Sequence, residues 1–445
     1  MFWIKSQSTD KEEIYLILKP KPYPYGVHVR DMKSLSMDKP IEVMPAPEEV
    51  SISVSQHIGA PAIPVVNIGD EVKKGQLIAE ASGAVSANVY SSVCGNVIAF
   101  DEVVNPMGVK QKYIRIKNNY GTEEVLFPNL ENFTSQELIE RIRLAGIVGL
   151  GGAGFPTAIK LMPKNKLDTL VINGAECDPY LNCDYRLMLE RTDDIIKGIH
   201  YFAQALDVDI NNIVIGIEKN KPEAIKVFNE RGMKVVALKK QYPMGSEKHL
   251  IYCCTGRKVP TGKLPADVGC SVQNIKTLIA SYEAIELNKP LTEIVMSVSG
   301  YGITEPKNLK VAIGTPFKDI VNFCGGEKES TVKYVAGGPM MGKAIPDLNQ
   351  YARKTDSGLL LLTDNEVDVN QPTNCINCGK CAKNCPMRLM PMYIDFYTLA
   401  GEYDKANKYG AMNCIECGSC AYNCPAHRSL VQSISYCKAK LREKK

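Results

Sequence analysis

Two short cysteine runs near the C-terminus carry the clearest chemistry in the sequence. "CINCGKCAKNCP" sets Cys375, Cys378, Cys381 and Cys385 ahead of Pro386, and "CIECGSCAYNCP" repeats the pattern 39 residues later with Cys414, Cys417, Cys420 and Cys424 ahead of Pro425. The spacing C-x2-C-x2-C-x3-C-P wraps three thiolates around one face of a [4Fe–4S] cube and sends the fourth to a neighbouring cube. Crossed ligation is therefore expected, with Cys375, Cys378, Cys381 and Cys424 on one cluster and Cys414, Cys417, Cys420 and Cys385 on the other. Zinc takes its ligands as C-x2-C pairs and leaves the third cysteine of each run without a role. Two neighbouring clusters make a one-electron conduit, and a two-electron donor would need a flavin to split its pair. The other eight of the 16 cysteines (Cys94, Cys177, Cys183, Cys253, Cys254, Cys270, Cys324 and Cys437) are scattered. Because the opening "MFWIKSQSTDKEEIY" lacks the apolar core of an export signal, the runs point to metal rather than disulfides.

A second candidate is "GLGGAGFPT" at Gly149–Thr157, whose first six residues fit G-x-G-x-x-G. A dinucleotide-binding turn of that form needs a strand before it and a long helix after it. The preceding "TSQELIERIRLAG" has helical periodicity instead, at Leu138, Ile139, Ile142 and Leu144 with Ser135 as N-cap, and the following "FPTAIKLMPKNK" is interrupted by Pro156 and Pro163. The segment is then either a tight turn or backbone that approaches a ligand closely, with N–H groups available to phosphate.

The elements that position such a loop follow it. A strand is expected in "LDTLVINGAECDPY", then a helix in "TDDIIKGIHYFAQAL", a strand in "NIVIGIE", a helix in "KPEAIKVFNERG" and a strand in "MKVVALK". This alternation predicts a parallel α/β sheet, whose ligands sit beyond the carboxyl ends of the strands. Asn173 to Tyr180 lies at such an end, with Glu176 and Asp178 about where a dinucleotide-binding acid would stand.

The whole chain has 445 residues, enough for two to four domains. At 45% hydrophobic and 23% charged residues it has the composition of a soluble globular protein. A net charge of +4 without any Lys/Arg run argues against nucleic acid as a partner and leaves open a basic face toward an acidic protein. No apolar run approaches the roughly 18 residues of a membrane-spanning helix, so a cytoplasmic location is expected, with any membrane association made through partners.

Four segments, "GLGGAGFPTAIK", "NGAECDPY", "YPMGSEK" and "SVQNIKT", resemble in order and separation those that surround FMN and NADH in the flavin subunit of respiratory complex I and its relatives. Over residues 25 to 435 the order of parts most resembles the RnfC family, the peripheral subunits of Rnf ion-translocating ferredoxin:NAD oxidoreductases. The resemblance implies a multidomain α/β architecture. An N-terminal segment with a biotinyl/lipoyl-like β-sandwich would span 1–125, a Rossmann-like FMN/NADH-binding α/β domain 126–288, an SLBB-like β-grasp domain 289–366, and a helical two-cluster ferredoxin-like domain 367–445.

It also implies roles for individual residues. Gly149, Gly151, Gly152 and Gly154 would line FMN, with Lys160 near its phosphate or ring edge, and Phe155 would stack on the nicotinamide or adenine. Asn173, Glu176, Asp178 and Tyr180 would hold the isoalloxazine and the dinucleotide, and Gly245, Glu247, Asn274 and Thr277 would complete the pocket. The chain departs from the complex I pattern at Ala175, where a carboxylate is usual, at Cys177 inside the acidic loop, and at Lys248 after Glu247. These departures leave the choice between NADH and NADPH open. Cys177 has no histidine near it in sequence and reads as a buried thiol rather than a nucleophile.

Ser55 to Phe100 contains the "GDEVKKGQLIAE" turn of biotinyl and lipoyl carriers, yet the stretch "ASGAVSANVYSS", where such carriers place a modifiable lysine, has none. Packing against the flavin domain or a partner is expected in place of a swinging arm. "GVHVRDMKS" lacks the prolines usual in the family after its histidine, and His28 reads as structural. "EIVMSVSG", "NLKVAIGTPFKDIVNFCGG" and "YVAGGPMMG" predict the β-grasp strands and a short helix, and "TDSGLLLLTDNEVDVNQPTN" a link to the clusters. The expected function is hydride exchange between NAD(H) and FMN and single-electron exchange with two [4Fe–4S] clusters. The chain would sit peripherally on the cytoplasmic face of the membrane, joined to ferredoxin-like and membrane subunits, with ferredoxin an indirect partner. A soluble adaptor serving an amino-acid or corrinoid reductase, and a scaffold with an empty flavin pocket, are the competing readings.

Overall fold

A computed structural model describes residues 17–105 and 109–444. The opening stretch read as lacking an export signal lies outside the described residues.

Five parallel strands form the central sheet, in the order Ile17–Leu18, Val235–Leu238, Ile213–Glu218, Thr169–Gly174, Cys270–Asn274. Side chains alternate across it as the strand period demands. Leu170 and Ile172 join one core with Ile195, Ile199 and Phe202 of the helix Thr192–Leu206. Val171 joins another with Leu250 and Ile251 of the helix Glu247–Thr255. Both faces are covered, which is why Ile213–Glu218 is buried throughout and reads as an apolar run up to Glu218, whose carboxylate pairs with Lys221.

The glycine segment follows a helix, as expected, and leads into the single turn Thr157–Lys160. That first helix spans Ser135–Leu144 and is capped by Thr134 rather than Ser135. Thr134 and Glu137 form a capping box, while the Ser135 hydroxyl donates to the Gln204 carbonyl at 2.8 Å.

The sandwich is a four-stranded sheet (Glu49–Ser53, Lys110–Asn118, Gly95–Val104, Glu71–Val72) facing a three-stranded one (Ile63–Pro64, Leu77–Glu80, Val89–Tyr90). The segment ahead of it, grouped with it in 1–125, makes its strand pairings with the other two sheets. Ile17–Leu18 adds to the edge of the flavin-side sheet and Ile41–Val43 adds to the β-grasp sheet. An open sheet edge offers unpaired N–H and C=O groups to any extended segment, and sequence patterning within the segment does not say which edge it meets.

The β-grasp sheet runs Lys343–Ile345, Thr331–Ala336, Gly358–Thr363, Glu293–Ser299, Lys307–Ala312, Ile41–Val43, with the helix Phe317–Phe323 contributing Phe317, Ile320 and Val321 to the core. Gly358–Thr363, from the stretch read as a link, is an interior strand of this sheet and is buried at every position. Its four consecutive leucines fill both faces. The C-terminal unit is helical, with Pro391–Leu399, Tyr403–Lys408 and Leu430–Glu443 packing Ile394, Ala406, Ile434 and Cys437 together.

Candidate functional site

The repeated cysteine runs produce repeated backbone. Asn377 and Glu416 take φ of 54° and 55°, and Gly379 and Gly418 take 70° and 79°, at matching places in the two runs. This winding turns N–H groups toward sulfur: Asn377 N–H points at Cys375 Sγ (3.5 Å), Glu416 N–H at Cys414 Sγ (3.3 Å) and Leu389 N–H at Cys385 Sγ (3.3 Å). A cavity between the runs is lined by Cys385, Cys414, Cys417 and Cys420. Cys381 packs with Cys420 and Cys424, and Cys424 and Cys375 both lie near enough to raise it. Cys375 and Cys378 lie on an exposed loop. Burial pushes Cys414 up to about 11 and raises Cys385, Cys381 and Cys420. Thiolates so placed are unfavourable unless a cationic centre holds them, and soft sulfur donors aided by N–H groups fit iron–sulfur ligation.

Around the glycine segment, Gly149 N–H donates to Phe155 O (2.8 Å) and Leu150 N–H to Thr277 Oγ1 (3.0 Å). Gly151 has φ of 75°, and a Cβ there would lie 3.3 Å from Asn274 Nδ2 and 3.4 Å from Lys276 Cε. The loop therefore rests on Asn274 and Lys276 and needs glycine to do so. Phe155 is 37% exposed at its end. Lys160 Nζ donates to Glu247 Oε1 (2.8 Å) and Val272 O (2.6 Å).

At the end of strand Thr169–Gly174, Asn173 Nδ2 donates to Gly245 O (2.9 Å), and its Oδ1 accepts from Ala175 N–H (3.1 Å). Glu176 turns inward to accept from Asp184 N–H (2.9 Å) and Tyr185 N–H (3.2 Å), at the start of the helix Cys183–Glu190. Asp178 is pushed up to about 7 by burial, which the Met340 N–H (3.3 Å) and Lys33 partly offset. Gly245 lies so close to Ala175 O that a Cβ would sit 2.3 Å from it. Cys177 is pushed up to about 12 by burial, as a structural thiol would be. Tyr180 goes elsewhere: its hydroxyl donates to Glu366 Oε1 (2.8 Å) and its ring packs among Val335, Leu360 and Leu362 of the β-grasp sheet.

Several residues at this site escaped the reading of the sequence. Lys276, inside "SVQNIKT", reaches Ser357 Oγ (3.0 Å) and Asp184 Oδ1 (3.7 Å), and Asn274 Nδ2 donates to Asp184 Oδ2 (2.8 Å). Two fully buried lysines back the acidic loop: Lys33 Nζ donates to Asp178 O (3.0 Å) and Lys221 Nζ to Glu176 O (3.1 Å). Tyr242, the first residue of "YPMGSEK", donates its hydroxyl to Cys417 O (2.7 Å) and packs with Cys177 and Met340. Met340, from "GGPMMG", thus joins the acidic loop to the second cysteine run.

Comparison with known proteins adds to this geometry. The RnfC-type subunit of the proton-translocating ferredoxin:NAD(+) oxidoreductase complex of Clostridium ljungdahlii is 46% identical over 95% of this chain and 94% of its own length. The chain belongs to the RnfC family. Its counterpart in the Na(+)-translocating ferredoxin:NAD(+) oxidoreductase complex of Acetobacterium woodii is 38% identical over 94% of this chain and 96% of its own, and that in the ion-translocating oxidoreductase complex of Rhodobacter capsulatus 43% over 94% and 83%. Family models match as the RnfC barrel sandwich hybrid domain (21–120), the Nuo51 FMN-binding domain (142–283), the SLBB domain (295–344) and the 4Fe-4S dicluster domain (368–425). These matches support FMN and iron–sulfur clusters as the cofactors. A crystal structure of an NAD+-reducing [NiFe]-hydrogenase in its H2-reduced state aligns over 67% of this chain and 62% of its own at TM-score 0.50 and 16% identity, a likeness of fold alone.

Proposed function

We propose that this chain exchanges hydride between NAD(H) and FMN, and single electrons between FMN and two [4Fe–4S] clusters, within an Rnf-type complex that couples ferredoxin:NAD oxidoreduction to ion transport. Bound flavin and clusters supply the redox chemistry, with the flavin converting between two-electron and one-electron traffic. The chain's residues supply approach and placement, which hydride transfer needs more than an acid or a base. Gly149, Gly151, Gly152 and Gly154 let backbone N–H groups approach FMN, with Lys160, Asn173, Glu247, Asn274 and Thr277 around them. Phe155 offers an exposed ring to the dinucleotide, and Glu176 and Asp178 shape the acidic loop beside it.

The observation that carries the reading is the short bridge from that loop to the second cysteine run. Tyr242 touches Cys177 on one side and bonds the Cys417 carbonyl on the other, and a Cβ on Gly418 would lie 2.6 Å from Met340 O. Flavin and cluster sites arranged in this way can exchange electrons within one chain. The grouping of Cys385 with the second run, and of Cys424 with Cys381 and Cys375, supports the crossed ligand sets.

Near-full-length likeness to subunits of such complexes favours a role inside a complex over a free-standing adaptor. We place the chain peripherally on the cytoplasmic face of the membrane, joined to ferredoxin-like and membrane subunits. Among the described residues no helix is long and apolar enough to cross a membrane. Anaerobic titration of the reconstituted protein with NADH tests the reading. Flavin bleaching together with loss of the iron–sulfur absorbance is expected, whereas clusters that respond to a strong chemical reductant but never to NADH would overturn it.

A further inference from the structure

The tight turn Arg353–Asp356 comes just before the interior β-grasp strand Gly358–Thr363. Asp356 N–H donates to Arg353 O (3.0 Å), and Arg353 Nη2 donates to Asp356 Oδ1 (2.9 Å). Held in this way, the turn presents its residues to the flavin-side unit. Lys354 is 1% exposed, and its Nζ donates to Asn88 O of the sandwich (2.6 Å) and to Gly146 O at the root of the glycine segment (2.8 Å). Its backbone N–H donates to Gln56 Oε1 (2.9 Å). A Cβ on Gly154, near the other end of the segment, would lie 2.8 Å from Thr355 Cγ2. Ser357 Oγ accepts from Lys276, the residue beneath Gly151.

We propose that Lys354, Thr355 and Ser357 form a positioning strap, supplied by the β-grasp domain, that sets the glycine segment in its ligand-binding shape before FMN arrives. The strap rests on the reading of that segment as the flavin loop. An ammonium buried against carbonyl oxygens alone is costly, and an apolar side chain of similar length would fill the space without that cost. What the Lys354 amino group adds is a fixed distance between two carbonyls that belong to different domains. Glycine-rich backbone loses more freedom on ordering than any other, so a loop ordered in advance spares the ligand that cost.

The test uses the full chain as wild type, Lys354→Met and Thr355→Ala, stripped of flavin and titrated with FMN. Three quantities are followed: fluorescence quenching, visible circular dichroism of the bound flavin, and hydrogen exchange of the amides of residues 146–154 before FMN is added. Faster exchange in both variants, an FMN Kd raised about tenfold, a changed flavin dichroism and an unchanged iron content are expected. Wild-type exchange and wild-type FMN affinity in both variants would overturn the strap. If Lys354→Met fails to fold, Thr355→Ala decides alone by the same two readings. If wild type binds no FMN, the flavin reading falls, and the exchange rates still decide the strap.

Discussion

Phe155 is the one aromatic side chain of the glycine segment, and it is partly exposed. Phe155→Ala should raise the KM for NADH severalfold while leaving FMN content near that of wild type, since the glycines and Thr277 that shape the loop are untouched. Steady-state kinetics beside flavin absorbance will check this, and equal loss of both would sink it. The thiol lining the cavity opposite Tyr242 makes a different kind of prediction. Cys417→Ser should lower iron from about eight atoms per chain to about four, with flavin reduction by NADH intact. Iron still near eight would refute its place in the ligand set. Glu176, an acid beyond a strand that reads as a ligand group, also accepts from the amides of Asp184 and Tyr185 and so fixes the start of the helix Cys183–Glu190.

Among the elements, the loop "YPMGSEK" does more than complete a pocket. Its backbone pairs with Val27 through Tyr242, and the Tyr242 hydroxyl fixes the peptide that follows Cys417. Tyr242→Phe keeps the ring packing and removes one buried hydrogen bond, a loss of about 1 kcal/mol. We expect the electron paramagnetic resonance signal and midpoint potential of one cluster to shift while the other cluster and the flavin stay as in wild type. Unchanged signals from both clusters would detach Tyr242 from the conduit. The regular helices and strands between 169 and 238 are legible in the sequence because their apolar periods are set by their own residues. Gly358–Thr363 falls inside the expected 289–366 domain but its strand is not legible, since four leucines in a row carry no period and only packing on both faces of the sheet explains them.

Across the whole molecule, Lys354 ties three units at one buried point. Burial lowers it from 10.5 to about 7. The unfolded chain therefore holds a proton that the folded chain has released between those values, and stability should rise as pH rises from about 7 toward 10.5. Below about 7 the ammonium is charged in both states and its burial weighs fully, by as much as about 5 kcal/mol. Thermal unfolding of Lys354→Met across that range should show a flatter pH dependence than wild type; parallel curves would assign the slope to other groups.

The two cluster motifs, the glycine segment and the alternation of the parallel sheet can be read from the chain alone, because each is written in local spacing, whereas the order of the four units follows from the family resemblance. That the N-terminal segment feeds two sheets, and that Tyr180 turns toward Glu366 rather than the flavin loop, emerges only once the chain has folded. The same holds for Lys33, Lys221, Lys276 and Lys354, which converge behind the acidic and glycine loops. A buried lysine far away in the chain has no signature in spacing, since its partners, main-chain carbonyls for Lys33 and Lys354, a carbonyl and a carboxylate for Lys221 and side-chain oxygens for Lys276, come within reach only on folding.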